Sequence, residues 1–340
     1  MNRRHLTGPV ILCALGLSVL LGACTSAGDY ATTPLPTPSP TAAPSTSAAP
    51  VPAPAPAGSD VATTNCLQTY APGDTLPAPG DMPAGSTMAR IQKRGRLIAG
   101  VSADTLLLGA RNPISGKIEG FDIDMLHEIS QAIFGDPNRI ELRVITAAQR
   151  LPALQDKSVD IVARNMTITC DRWKEIAFSS EYYRSGQKVL VRLGEKTTDG
   201  KKINGIEDLK GKKVCAPNGS TSMGKLRTFK GLEPVGSDTH TGCLVLFQEG
   251  RVDAITGDDT VLAGLAAQDP YAQVIQAPPF TAEPYGLGVN KSDVDFVRFV
   301  NAVVAKSKSD GAWQRSYQTW LADALGKAPP PPKPVYGRTR

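Results

Sequence analysis

In the stretch NMTITCDRWKEIAFSSEYY, residues 165 to 183, a hydroxyl residue, Thr167, ends an apolar run that carries Val159, Ile161 and Val162. Arg172 follows five residues later, where a helix begins. A hydroxyl, the free N–H groups of a helix start and a guanidinium able to bind two oxygens at once make a grip for a carboxylate. Without an anion the arginine would sit unfavourably beside the positive end of the helix dipole. The alternative is an arginine exposed in a first helical turn.

The surrounding pattern is one of alternating strands and helices. RLIAGVS (96 to 102) reads as a strand, and GFDIDMLHEISQAIF (120 to 134) as an amphipathic helix with Phe121, Met125, Ile129 and Ala132 on one side. IELRVIT returns as a strand, LPALQ as a short helix and VDIVARNMT as a third strand. After Tyr183 the alternation restarts with KVLVRL, GKKVCAP, a helical stretch from Thr221 to Thr228, GRVDAITGDD and a helix VLAGLAAQD. Such alternation predicts parallel sheets covered on both faces. Strict alternation along VDIVARNMT places Ala163, Asn165 and Thr167 on one face and Arg164 on the other.

The chain ends belong to a different regime. Arg3 and Arg4 precede an apolar run from Val10 to Leu21 that closes in LGAC, the pattern of a signal segment over residues 1 to 23. LGAC looks like a lipobox with Cys24 as the lipidated residue, and acyl chains, at about 0.8 kcal/mol per buried CH₂, anchor without a spanning helix. Residues 24 to 87 are then a Pro-, Ala-, Ser- and Thr-rich tether with little to bury. Extended at about 3.1 Å per residue, the part from Thr25 to Gly85 would reach on the order of 180 Å. A Pro-rich tail, 328 to 340, closes the chain. The expected location is the outer face of a cell membrane, in the periplasm or cell envelope.

Composition removes several classes. Net charge is +5 with no basic block interleaved with aromatics, which argues against nucleic acid as partner. His127 and His240 are the histidines outside the signal segment, and neither belongs to a metal-spaced cluster, so no metal, cofactor or Ser-His-Asp catalysis is expected. Beyond Cys13 and Cys24, four cysteines remain: Cys66, Cys170, Cys215 and Cys243. In an oxidising compartment they suggest two disulfides, with three connectivities open.

The segments GFDIDM, LPALQDKSVDIV, MTITCDRWKEIAFSSEYY, DLKGKKV, GRVDAITGDD, PYGLGVN and DGAWQRSYQTWL together resemble the family 3 extracellular solute-binding proteins of polar amino-acid ABC importers. GARNPISGKIEGFDID looks particularly like the actinobacterial glutamate-binding lipoproteins. The resemblance implies an α/β, two-lobed periplasmic binding protein fold of type II with two hinge crossings. One lobe would take residues 88 to 183 plus 286 to 327, the other 184 to 285. That division puts Cys215 and Cys243 in one lobe, which favours their pairing at roughly 3 to 4 kcal/mol and leaves Cys66 to Cys170.

It also implies roles. Arg172 clamps the α-carboxylate of an amino acid, with Thr167 supplying a hydroxyl, and Asp258 receives the ammonium while Asp259 caps the next helix. The loop NGSTS, 218 to 222, closes from the second lobe with Ser220, Thr221 and Ser222. Arg150 occupies the position from which acidic amino-acid binders reach the ligand, with Arg164 a second candidate and Arg111 a weaker one. A neutral amide would leave such a guanidinium unpaired, so the reading leans to glutamate or aspartate. Pro217, where some glutamine-binding relatives have lysine, points the same way. Leu106, Leu107 or Leu108 would stand where many members have an aromatic wall. The expected protein is a monomeric, lipid-anchored binder that closes on its ligand and presents it to an ABC permease, or to a membrane sensor. A cyclohexadienyl dehydratase-like enzyme is the remaining alternative on this fold.

Overall fold

The computed structural model describes Thr64 to Thr339; the signal segment, Cys24 and the tether as far as residue 63 lie outside the described residues. In chain order the elements that position the site are strand β1 (Gln68–Thr69), helix α1 (Thr87–Arg94), β2 (Leu97–Val101), α2 (Phe121–Phe134), β3 (Ile140–Val144), α3 (Arg150–Gln155), β4 (Ile161–Val162), α4 (Cys170–Glu175), β5 (Ala177–Phe178) and β6 (Tyr183–Arg192). There follow β7 (Lys213–Pro217), α5 (Thr221–Leu226), β8 (Glu233–Ser237), α6 (His240–Gln248), β9 (Ala254–Asp258), α7 (Asp259–Gln268), β10 (Ala272–Val274), β11 (Thr281–Tyr285), β12 (Gly288–Val289), α8 (Val294–Ser309), α9 (Ala312–Trp320) and β13 (Val335–Tyr336).

Two sheets result. The first runs β3-β2-β4-β12-β5, with β3, β2 and β4 parallel and β12 antiparallel to both its neighbours. The second runs β8-β7-β9-β6-β10, with β11 also paired to β6. Every residue of β2 is buried, as expected for a strand covered on both faces. Helix α2 buries Phe121, Met125 and Ile129 at helical spacing. Phe121 meets Trp313 of α9 edge to face at 5.8 Å, and the Trp313 indole N–H donates to the Tyr182 carbonyl at 2.7 Å. The last helices thus close the first lobe, which is why they are too apolar to stand alone. The chain crosses between lobes on β6 and β11, whose antiparallel register pairs Tyr183 with Tyr285 and Ser185 with Glu283.

Three segments differ from the sequence expectation. VDIVARNMT is a regular strand only at Ile161–Val162. Asn165 turns to φ 37° and donates its N–H to the Asp122 carboxylate at 2.7 Å, so the side chains beyond Val162 no longer alternate. The tether does not extend to residue 87 as a free chain, because β1 pairs in parallel with β13 and the Thr69 hydroxyl donates to the Phe178 carbonyl at 2.8 Å. The same pairing makes the Pro-rich tail part of the first lobe. Two disulfides join Cys66 to Cys170 and Cys215 to Cys243.

The lobes touch. Thr241 donates its hydroxyl to the Asp104 carbonyl at 2.9 Å, and α7 lies against Leu106 so closely that a Cβ on Gly264 would stand 2.7 Å from the Leu106 carbonyl oxygen. In a helix interior alanine is better than glycine by about 1 kcal/mol. Gly264→Ala should therefore favour its own helix yet oppose closure. Under conditions where small-angle X-ray scattering finds the wild type compact, the variant should remain more expanded with an equal or higher Tm; superimposable scattering curves would contradict this.

Candidate functional site

The first-lobe side of the cleft is built by two short helix starts. Thr169 caps α4, its hydroxyl accepting the Arg172 N–H at 3.1 Å. Arg172 is buried, and its guanidinium donates to the Thr167 carbonyl at 2.7 Å and, across the cleft, to the Gly219 carbonyl at 3.3 Å. Arg150 opens α3 and is 2% exposed. It donates to the carbonyls of Ala147 (2.9 Å), Arg164 (3.1 Å) and Asn165 (3.2 Å), and also to Gly219 (3.3 Å). Two guanidiniums from one lobe thus converge on one carbonyl of the other. Gly219 allows this approach: its φ is +72°, and a Cβ there would lie 2.8 Å from the Ala148 Cα.

These hydrogen-bond partners are neutral, and neither arginine makes an ion pair among the described residues. Asp258 acts on both through space only, and Glu283 acts on Arg172 in the same way. Burial pushes both guanidiniums below their ordinary range, and for Arg150 the neighbouring Arg172 and Arg164 add to it. Taking a charge out of water costs several kcal/mol unless an opposite charge meets it. The cleft is thus arranged for an anion.

Opposite charge comes from the second lobe and the hinge. Asp258 ends β9 at the N-cap position of α7 but caps nothing with its side chain; it accepts the Tyr285 hydroxyl at 2.6 Å. Its neighbour Asp259 instead takes the Thr260 N–H at 2.7 Å and the Ser185 hydroxyl at 2.5 Å. Burial, then the Glu283 carboxylate, push Asp258 up to about 8. Glu283, fully buried on β11, accepts the hydroxyls of Thr167 (2.6 Å) and Thr221 (2.8 Å) on one oxygen and of Thr281 (2.7 Å) on the other. Sequence reasoning missed it, because the recognised motif PYGLGVN starts one residue later. An acidic residue between Thr281 and Tyr285, at strand spacing on one face of a hinge strand, was the available signal.

Thr167 and Thr221 face each other across the cleft at 3.3 Å. Ser220 behaves differently from expectation: its hydroxyl donates to Pro217 at 2.6 Å and accepts the Met223 N–H at 3.0 Å, so it caps α5 and has no proton free for a ligand. Arg164 is buried, donates to the Ile145 carbonyl at 2.7 Å and lies toward Asp104 and Asp122. Asp122 receives the Tyr182 hydroxyl at 2.6 Å besides the Asn165 N–H, and burial pushes it up to about 6. It fixes the turn whose carbonyls hold Arg150. His240, left outside the expected site, packs its Nε2 against Gly257, next to Asp258, near Arg164 and Asp104. That Nε2 is buried without a partner among the described residues, as are Asn165 Oδ1 and Gln187 Oε1 beside the same cleft elements. Together these groups complement a small molecule that carries both anionic and cationic groups.

The model of the bacterial extracellular solute-binding proteins, family 3, matches residues 97–323. The glutamine-binding protein GlnH of a Bacillus subtilis ABC transporter is 37% identical over 239 residues, 70% of this chain and 85% of that protein. The glutamate-binding protein GluB of Corynebacterium efficiens is 31% identical over 266 residues, 75% of this chain and 87% of its own. Among solved structures, a mutant of ArgBP from T. maritima superposes with a TM-score of 0.61 at 29% identity, covering 69% of this chain and 99% of that one. With two hinge strands between two α/β lobes and a charged cleft between them, the chain belongs to the family 3 bacterial extracellular solute-binding proteins.

Proposed function

We propose that this protein captures an acidic amino acid, glutamate or aspartate, by closing its lobes, and presents it to an ABC importer from a lipid anchor at Cys24. The observation that carries the choice of ligand is Arg150: buried, cationic and bonded only to backbone carbonyls. The α-carboxylate goes to Arg172 and Thr167. The ammonium goes to Asp258 and Glu283, and the side-chain carboxylate to Arg150, with Arg164 and His240 at the same end. Similarity to a glutamine-binding relative favours the amide, whereas an amide gives Arg150 no counter-charge.

Thermal unfolding against a panel of amino acids tests the assignment. A ligand at 100 times its Kd stabilises by about 2.7 kcal/mol, so glutamate or aspartate should raise Tm and glutamine should require about tenfold more ligand for the same shift. Arg150→Met should erase the difference between glutamate and glutamine. No shift with any amino acid sinks the binding reading, and a preference for glutamine sinks the role of Arg150.

Binding should also depend on pH. Asp258 has a folded value raised from 3.8 to about 8, so the folded chain holds a proton that the unfolded chain releases, and its burial lowers stability as pH rises across that window. His240 is lowered from 6.5 to about 3 by burial and contributes with the opposite sign, its effect being complete by pH 6.5. Asp122 titrates at about 6. Between pH 6.5 and 8 the Asp258 effect therefore dominates. An ammonium that needs the Asp258 carboxylate displaces its proton, so affinity should rise with pH in this interval, by at most about tenfold per unit. Asp258→Asn should bind more weakly and show a flat profile; a wild-type affinity independent of pH here would refute proton release at Asp258.

A further inference from the structure

Helix α4 carries Arg172 yet has only the six residues Cys170–Glu175, well short of the roughly 12 to 15 that hold a helix without tertiary help. The help comes from the segment Cys66 to Tyr70 and from the C-terminal tail. Cys170, two residues before Arg172, is disulfide-bonded to Cys66. Trp173, the residue after it, donates its indole N–H to the Cys66 carbonyl at 2.8 Å. Its ring meets Tyr70 edge to face at 6.3 Å and Phe178 at 5.5 Å, while the Arg338 guanidinium lies 3.7 Å above its centre.

Arg338 also joins these two segments to each other. Its Nε donates to the Gln68 carbonyl at 3.0 Å and its backbone N–H to the Thr69 carbonyl at 3.1 Å, continuing the β1–β13 pairing. Asn301 of α8 seals the segment from beneath, donating to the Thr69 hydroxyl at 3.1 Å and the Tyr70 carbonyl at 2.7 Å while accepting the Ser180 N–H at 2.6 Å. No ligand-facing group of the cleft belongs to residues 64 to 70 or 335 to 338, yet they hold Cys170 and Trp173, which lie on either side of Arg172 in the sequence.

We infer that the segment from Cys66 to Tyr70 and the tail from Val335 to Arg338 form a clasp that orients Arg172, with Arg338 as its positioning residue. This rests on the assignment of the α-carboxylate to Arg172. A stacked guanidinium suits the task because it lies flat on the indole while its edge donates to a carbonyl, which an ammonium cannot do. Misplacing a charged clamp by a fraction of an ångström weakens the contact it makes and leaves the others intact. The clasp therefore acts on recognition of one ligand group, not on binding as a whole.

The test compares dissociation constants of the purified full chain for L-glutamate and L-glutamine, each against its α-amide. In the wild type the acid should bind far more tightly than the α-amide, whichever side chain is preferred. In Arg338→Ala and in the double variant Cys66→Ser/Cys170→Ser, affinity for the acid should fall about tenfold while that for the α-amide changes less than about twofold, so the ratio shrinks. The double variant Cys215→Ser/Cys243→Ser, in the other lobe, should keep the wild-type ratio. Hydrogen exchange at the amides of Cys170–Glu175 in Arg338→Ala should accelerate relative to β2, a readout independent of ligand. A ratio that stays constant in folded clasp variants, or α4 amides exchanging as in the wild type, overturns the clasp. A wild type that does not discriminate the α-amide overturns the role of Arg172 and the clasp with it.

Discussion

Burial of positive charge without a direct ion-pair partner among the described residues is the constraint on which the rest of this structure depends. Arg150 and Arg172 are withdrawn from water and meet, at their tips, a single carbonyl from the opposite lobe. Backbone dipoles moderate such a charge but do not neutralise it. An arrangement of this kind stores unfavourable electrostatics at the meeting point of two lobes, where an anion relieves them only if both lobes are in place. Differential contact of this sort lets a ligand shift a two-state equilibrium toward closure.

The hinge takes part in the chemistry as well as in the motion. Glu283 and Tyr285 lie on β11, one of the two crossing strands, and bind Thr167 and Thr221 of the two lobes and Asp258 of the second. A cationic group arriving among Asp258 and Glu283 therefore alters bonds to the first lobe, the second lobe and the hinge together. Burial, and then the neighbouring Glu283 carboxylate, raise Asp258, so an ammonium that takes up its carboxylate would release a proton. Charge, closure and pH response thus share one cause.

Much of this was legible in the sequence because its signals are local or periodic. The alternation of strands and helices gives the two α/β lobes, and the order of the family motifs gives the hinge crossings. Thr167 and Arg172 stand where a strand end and a helix start place them, whereas the doubled carboxylate differs from expectation: Asp258 holds the N-cap position without capping by its side chain, and Asp259 is the first helical residue. What was not legible depends on contacts between distant segments. Asn165 leaves the strand because Asp122 captures its N–H, which breaks the alternation used to place Arg164. Ser220 reads as a ligand hydroxyl until its bonds to Pro217 and Met223 are seen, and Glu283 reads as one more charged residue until Thr167 and Thr221 close on it. The tail from Val335 looked like a loose end because nothing in its composition reveals a strand partner more than 200 residues away, at Gln68 and Thr69.

A crystal structure of the chain grown with L-glutamate tests the central claim most directly. The account predicts closed lobes with the α-carboxylate on Arg172, the ammonium between Asp258 and Glu283, and the side-chain carboxylate on Arg150, with the Gly219 carbonyl displaced from one or both guanidiniums. A ligand lying in the reverse sense, or one that leaves Arg150 bonded only to backbone carbonyls, would contradict it.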